Sequence, residues 1–114
     1  MKVKHYGFGK LKIDSEIYVK DVVIDQGEIK KRNKKKSKSY RERFGHTPLS
    51  IDENIPWSCK TLVIGRGMYT SLPVMKEVIS EAKNRGVTLI MVNTEEALQY
   101  INKKATNLIL HLTC

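Results

Sequence analysis

The 114-residue sequence has only two cysteines, Cys59 and Cys114, only three prolines, and few aromatic residues. Two lone thiols match no paired metal-ligand motif and no disulfide framework, so both are expected to be reduced. With aromatics scarce, aliphatic side chains must fill the core that a 40% apolar content supplies. No apolar run approaches the roughly 18 residues that span a bilayer. The opening Met1-Lys2-Val3-Lys4-His5 lacks the apolar centre of a signal peptide. Its three histidines, His5, His46 and His111, are too scattered to suggest a metal site. These absences lead to the expectation of one soluble, cytoplasmic domain, residues 1–114, with no membrane contact.

Charge is present, and it is concentrated. The net charge is +9, and nine of the 21 lysines and arginines fall between Lys30 and Arg43. They are Lys30, Lys31, Arg32, Lys34, Lys35, Lys36, Lys38, Arg41 and Arg43, with Glu42 the one acid among them. The rest of the chain holds 12 basic and 11 acidic residues and is nearly neutral. Such a patch could neutralise several phosphates and give salt-sensitive binding to nucleic acid. Only Tyr40 and Phe44 are near enough to stack on bases, and no reading helix is recognisable. The plainer reading is a solvated segment that keeps the protein soluble. Asn33 to Arg43 shows no apolar periodicity, which predicts a mobile loop or hairpin tip.

Residues 3–32 read as β. Tyr6, Phe8, Leu11, Ile13, Ile17, Val19, Val22 and Ile24 recur often with period two, and Asp14-Ser15 and Asp25-Gln26-Gly27-Glu28 punctuate them. Three or four short antiparallel strands are expected, as a meander. Ser50, with Glu53 at the capping-box position, predicts a short turn ended by Pro56. A β-α-β-α-β pattern follows. Its strands are Thr61 to Ile64, Thr88 to Val92 and Leu108 to Thr113. The first helix is predicted from Ser71 or Leu72 to Asn84, with Pro73 in its first turn and Val74, Met75, Val78, Ile79 and Ala82 as its apolar stripe. Gly86 suits the left-handed position beyond its end. Asn93 or Thr94 caps the second helix, whose inward face is Ala97, Leu98, Ile101 and Ala105. The crossovers imply parallel neighbours. The fold class is therefore α/β, with a mixed sheet whose C-terminal half is β-α-β-α-β and an N-terminal antiparallel meander that extends it or adds a layer.

Ligands of open α/β sheets bind beyond the carboxyl ends of the strands. Three segments are expected there: Gly65-Arg66-Gly67 with Met68, Asn93-Thr94, and His111-Leu112-Thr113-Cys114. The glycine turn, the charge of Arg66 and the start of a helix would together suit a phosphate, carboxylate or sulfate. The same residues also make sense as a tight turn with Arg66 paired to an acid. Thr70 stands where a dinucleotide fingerprint needs its third glycine, and no Walker pattern occurs, so neither NAD nor ATP is supported and no cofactor is expected. His111 and Cys114 lie on opposite faces of a regular strand, which argues against a Cys-His dyad. His46, in irregular chain, could reach the same pocket.

Leu62-Val63-Ile64-Gly65-Arg66-Gly67-Met68, then Thr94-Glu95-Glu96-Ala97 with Tyr100 and Asn102, then His111-Leu112-Thr113-Cys114, occur in order. Together with Gly45-His46 after Arg41-Glu42-Arg43, they make the chain resemble the Mth-domain family over nearly its whole length. This is a domain of unknown function whose members include an adipogenesis-associated cytosolic protein and a mitochondrial assembly factor for respiratory complex I. The resemblance implies a three-layer α/β fold with a mixed central sheet and an extra β layer. It implies no catalytic residues and suggests a protein-binding, assembly-type role. The chain departs from the pattern where Ile101 interrupts the usual Tyr-Asn pair and in the strongly basic Lys30 to Lys38 run. Three functions follow as expectations. The first is a non-catalytic interaction domain with an unknown protein partner and a candidate anion pocket at Gly65 to Gly67. The second is nucleic-acid binding through residues 30–43. The third is an enzyme or small-ligand binder at the sheet's carboxyl edge using Arg66, His46, His111 or Cys114. Sheet edges in so small a domain also invite self-association, though no residue marks an interface.

Overall fold

Turn chemistry cuts the first third of the chain into five short strands in the computed structural model, which describes all 114 residues. The strands β1 (Val3–Gly7), β2 (Lys10–Ile13) and β3 (Glu16–Tyr18) form a three-stranded antiparallel sheet. Strands β4 (Val22–Asp25) and β5 (Glu28–Lys31) make a hairpin through Gln26-Gly27, both at positive φ, as a tight two-residue hairpin turn requires. This hairpin leaves the meander and joins a second sheet. The β region thus holds five strands rather than three or four, and it both extends the main sheet and adds a layer to it.

The second sheet has the order β5-β4-β8-β6-β7, with β6 (Thr61–Gly65), β7 (Thr88–Val92) and β8 (Thr106–Leu110). β6 runs parallel to both β7 and β8, and β4 runs antiparallel to β8. The expected β-α-β-α-β half is present with its parallel strands, and β8 returns across β6 rather than continuing past β7. No helix is long and apolar enough to cross a membrane.

Period-two alternation sorts the core into two faces. Leu62, Ile64, Ile109 and Val23 pack on one side with Val78 and Ala82 of α2 (Lys76–Asn84, numbered after the short α1 described below). Val63, Leu108, Leu110, Val22 and Ile24 pack on the other with Leu11 and Ile13 of β2 and Ala97 of α3 (Thr94–Ala97). The result is three layers: helix, mixed sheet, and small sheet with the single-turn α3.

Several boundaries differ from expectation. Pro73 lies ahead of α2, not in its first turn, because Leu49 and Val74 form a parallel bridge held by Leu49 N to Pro73 O and Met75 N to Leu49 O. Ile79 is 44% exposed and leaves the apolar stripe. The second helix is shorter than its periodicity implied: α3 gives way to a 3-10 turn at Leu98–Tyr100, and Ala105 is exposed at positive φ. Its start is as expected, since Asn93 and Glu96 cap it reciprocally.

The largest difference is the basic segment, which is helical. Lys34–Tyr40 forms a 3-10 helix that runs into α1 (Arg41–Phe44), and Gly45 closes it at φ +74. Polar anchors replace the missing apolar stripe. Ser37 is fully buried and bonds to Ser50 Oγ at 2.6 Å and to Glu53 Oε2 at 2.5 Å. Asn33 Oδ1 accepts Lys35 N, and Tyr40 OH donates to Asp52. Glu53 turns its carboxylate to Ser37 and Arg32 instead of completing a capping box at Ser50.

Candidate functional site

Arg32 directly follows β5, and its side chain is buried, with 4% of the residue exposed. It therefore needs partners for all its donors. Its Nε and Nη2 donate to the two carboxylate oxygens of Glu53 at 2.8 and 2.9 Å. Nη1 donates to Asp21 Oδ2 at 2.9 Å, and Nη2 also reaches Pro48 O at 3.0 Å. The planar guanidinium fork suits this bidentate grip. Arg32 is thus a structural ion, not a free cation of the basic patch as the sequence suggested.

Asp21 links this network to the chain end. Its Oδ1 accepts Leu112 N at 3.0 Å, and its Oδ2 meets His111 Nδ1 at 2.8 Å. Burial alone would raise the Asp21 carboxyl; the hydrogen bond and charge of His111, the Leu112 amide and Arg32 outweigh it and hold the pKa at about 2. Among the opposing effects on Arg32, burial favours its neutral form, but Glu53 and Asp21 raise its pKa further above its ordinary value. An ionised carboxylate only accepts, so Nδ1 of His111 carries a proton. The far nitrogen, Nε2, lies 3.3 Å from Thr113 Oγ1. Thr113, His111 and Asp21 form one chain of polar contacts.

The depressed Asp21 pKa sets a pH dependence. The folded value, about 2, lies below the ordinary 3.8, so the folded state releases this proton more readily than the unfolded one. Its contribution, about 2 kcal/mol, is full above about pH 5 and is lost as pH falls toward 2. Urea midpoints measured at pH 5 and near pH 2.5 should differ less in Asp21→Asn than in the wild type. An equal acid loss in both would contradict this role.

Above the network opens a hollow of about 620 Å³. Lys20, Lys31, Lys34, Lys35 and Lys38 line it, with His111, Leu112 and Thr113 on the β8 side and Asp21 and Arg32 also contributing. It sits beyond the carboxyl end of β8, beside the start of β4, where parallel pairing gives way to antiparallel. The basic segment and His111, separate candidates in the sequence, therefore meet.

The glycine turn lies elsewhere and is closed. Gly67 N donates to Thr94 Oγ1 at 2.8 Å, and that hydroxyl donates to His111 O at 2.5 Å. Met68 N bonds to Thr113 O, Tyr69 N and Ser71 N bond to Cys114 O, and Arg66 N bonds to Val92 O. Arg66 Nε donates to Leu72 O rather than to an acid. A side chain at Gly65 would meet Thr94, and one at Gly67 would strike Cys114 and His111. The turn's amides are spent within the fold, and α2 starts too far along the chain to add its dipole. The anion pocket expected at Gly65, Arg66, Gly67 and Met68 is thus corrected to a packed corner, with Thr94 and Cys114 as its filling.

The remaining predicted residues divide. Cys114 shares no hydrogen bond with His111, whose ring nitrogens face Asp21 and Thr113. His46 is exposed and does not line the hollow. Lys30 pairs with Asp25 at 3.5 Å, and Arg43 lies over the Phe44 ring. Lys36 and Arg41 do not line the hollow either. Asp21 and Lys20 gave no signal in the sequence, because a turn aspartate beside a lysine is unremarkable there.

No family model matches the chain. A conserved hypothetical protein, PH1505 from Pyrococcus horikoshii OT3, is 26% identical over the full length of both chains, with a TM-score of 0.81. The chain shares its fold. A solved structure named MT938 is 19% identical over 98% of this chain and 97% of its own, with a TM-score of 0.70. An outer membrane protein from Bartonella henselae is 13% identical over 98% and 94%, with a TM-score of 0.65. These last two likenesses are of fold alone. The mixed α/β architecture is therefore common to all of them, and their names carry no ligand or reaction.

Proposed function

We propose that the protein binds a phosphate-bearing anion in the hollow at the carboxyl end of β8. One observation carries this reading: five lysines surround a single carboxylate, Asp21, that Arg32 and His111 already engage. A merely solubilising run would leave its lysines to splay. Here Ser37, Asn33 and Tyr40 fix the segment that bears Lys34, Lys35 and Lys38, which lowers the ordering cost of binding. Lysine ammonium groups suit phosphate as point charges. No phenylalanine, tyrosine or tryptophan lines the hollow, so charge and not base identity sets recognition.

Calorimetric titration with inorganic tripolyphosphate at low and high salt tests this. Saturable binding that weakens with salt is expected. Lys34→Glu/Lys35→Glu/Lys38→Glu should lower affinity by about tenfold or more, equivalent to at least about 1.4 kcal/mol. Absence of binding at both salts would remove the reading. A single-stranded oligonucleotide that binds where tripolyphosphate does not would favour the nucleic-acid alternative.

The interaction-domain reading, implied by the Mth-domain resemblance, has its own support. Phe8 and Tyr69 are 57% and 67% exposed, and their rings lie 6.4 Å apart. Neither lines the hollow. Under that reading a protein partner would remain bound to the triple lysine variant, and tripolyphosphate would give no saturable heat.

A further inference from the structure

We propose that the hollow is a phosphoryl-transfer site in which Thr113 Oγ1 is the nucleophile and His111 its general base. The inference rests on the anion-binding reading above and extends it to a reaction on phosphate monoesters. Two residues apart in extended chain, Thr113 and His111 share a face, so their 3.3 Å contact arises locally. The third member does not. Asp21 comes from 90 residues earlier, and Leu112 N and Arg32 Nη1 hold its carboxylate against His111 Nδ1. This order, hydroxyl to imidazole to fixed carboxylate, is the arrangement that activates a serine or threonine for attack. In the tautomer whose one proton is on Nδ1, the Nε2 lone pair faces the hydroxyl. Thr113 and His111 both line the basic hollow, so the relay opens where the anion would sit.

The step balances without a further reactant but water. Thr113 Oγ1 attacks the phosphorus of a bound monoester as its proton passes to His111 Nε2. The bond from phosphorus to the ester oxygen breaks, and that oxygen leaves in line, opposite Thr113, with the bonding pair and takes a proton from solvent water. Water then attacks the phosphothreonine from the side the ester left and sheds its proton to solvent, and the bond between phosphorus and Thr113 Oγ1 breaks with its pair left on Oγ1 beside the protonated Nε2. Inorganic phosphate departs, and Thr113 recovers its proton. Lys34, Lys35 and Lys38 neutralise the non-bridging oxygens during attack. Asp21 is a positioning residue that acts through His111.

p-Nitrophenyl phosphate is the probe, with tripolyphosphate binding measured on each variant. Wild-type protein should release p-nitrophenolate in proportion to its concentration, and acid quenching should trap one phosphoryl group on Thr113, read by peptide mass. Thr113→Val keeps the side-chain shape and should lose about a hundredfold or more in rate while still binding tripolyphosphate. His111→Gln should do the same, and Thr113→Ser should retain turnover. Asp21→Asn should lower kcat and leave KM unchanged. Tripolyphosphate binding without p-nitrophenolate release above the buffer rate, or equal release by Thr113→Val, would overturn this inference and leave anion binding standing. Absence of tripolyphosphate binding by the wild type would overturn both.

Discussion

Replacing Glu53 with alanine is expected to cost roughly 3–5 kcal/mol, because it strands a buried guanidinium. Arg32 and Glu53 expose 2% and 4% of their side chains, and two of the guanidinium's donors end on the Glu53 carboxylate. After the change Arg32 keeps Asp21 and the Pro48 carbonyl, which cannot satisfy the whole fork. That loss is a large share of the roughly 5–15 kcal/mol that holds a typical domain together. The pairing itself need not be stabilising. Arg32→Met/Glu53→Met removes both charges and should recover much of the loss in urea unfolding. Glu53→Ala should also loosen the basic helix, since Ser37 loses its carboxylate acceptor. Faster amide hydrogen exchange across Lys34–Tyr40 would show this. A Glu53→Ala midpoint indistinguishable from wild type would refute the account.

Gly67→Ala should be the most damaging glycine substitution, at roughly 2–6 kcal/mol. Two costs combine: the left-handed backbone, about 1–3 kcal/mol, and overpacking of a filled corner, about 1–3 kcal/mol. The backbone sits at φ +100, and an added Cβ would meet Cys114 backbone and, at 2.8 Å, the His111 ring. Gly27 provides the comparison, since it is also left-handed, at φ +81, but faces open space. Gly27→Ala should cost only the backbone strain, about 1 kcal/mol. The difference between the two thermal midpoints measures how tightly the chain end seals the glycine turn. Equal midpoints would mean that it does not.

Much of this architecture is visible in local pattern. A short continuous apolar run marks Leu62, Val63 and Ile64 as a buried strand, the Gln26-Gly27 turn sits where punctuation places it, and Gly86 ends α2 at φ +70 as its position implies. These features depend on neighbours a few residues away. The misread features depend on distant polar partners. Ser37 is ordered by Glu53, 16 residues on, so a run with no apolar stripe folds into a helix. Arg32 reads as one more free cation because no local residue shows that Asp21 and Glu53 pair with it in the interior. Local pattern points to a pocket over Gly65 to Gly67. The chain end fills that crevice, and the open space lies one strand away, beyond the end of β8 and beside the start of β4. Packing decides such displacement, and periodicity does not encode it.

The position of β8 bears on how the molecule is made. It is the final strand of the chain and the middle strand of its five-stranded sheet, paired to β4 on one side and β6 on the other. Until residues 106–110 emerge during synthesis, the β4–β5 hairpin and the β6–β7 pair are two fragments with unsatisfied edges. Asp21 also waits for His111, so the hollow has no wall. Closure must bring together segments more than eighty residues apart, and such non-local pairing is slow and leaves sticky edges open meanwhile. The nascent protein is therefore at its most vulnerable to misassembly just before residues 106–110 emerge.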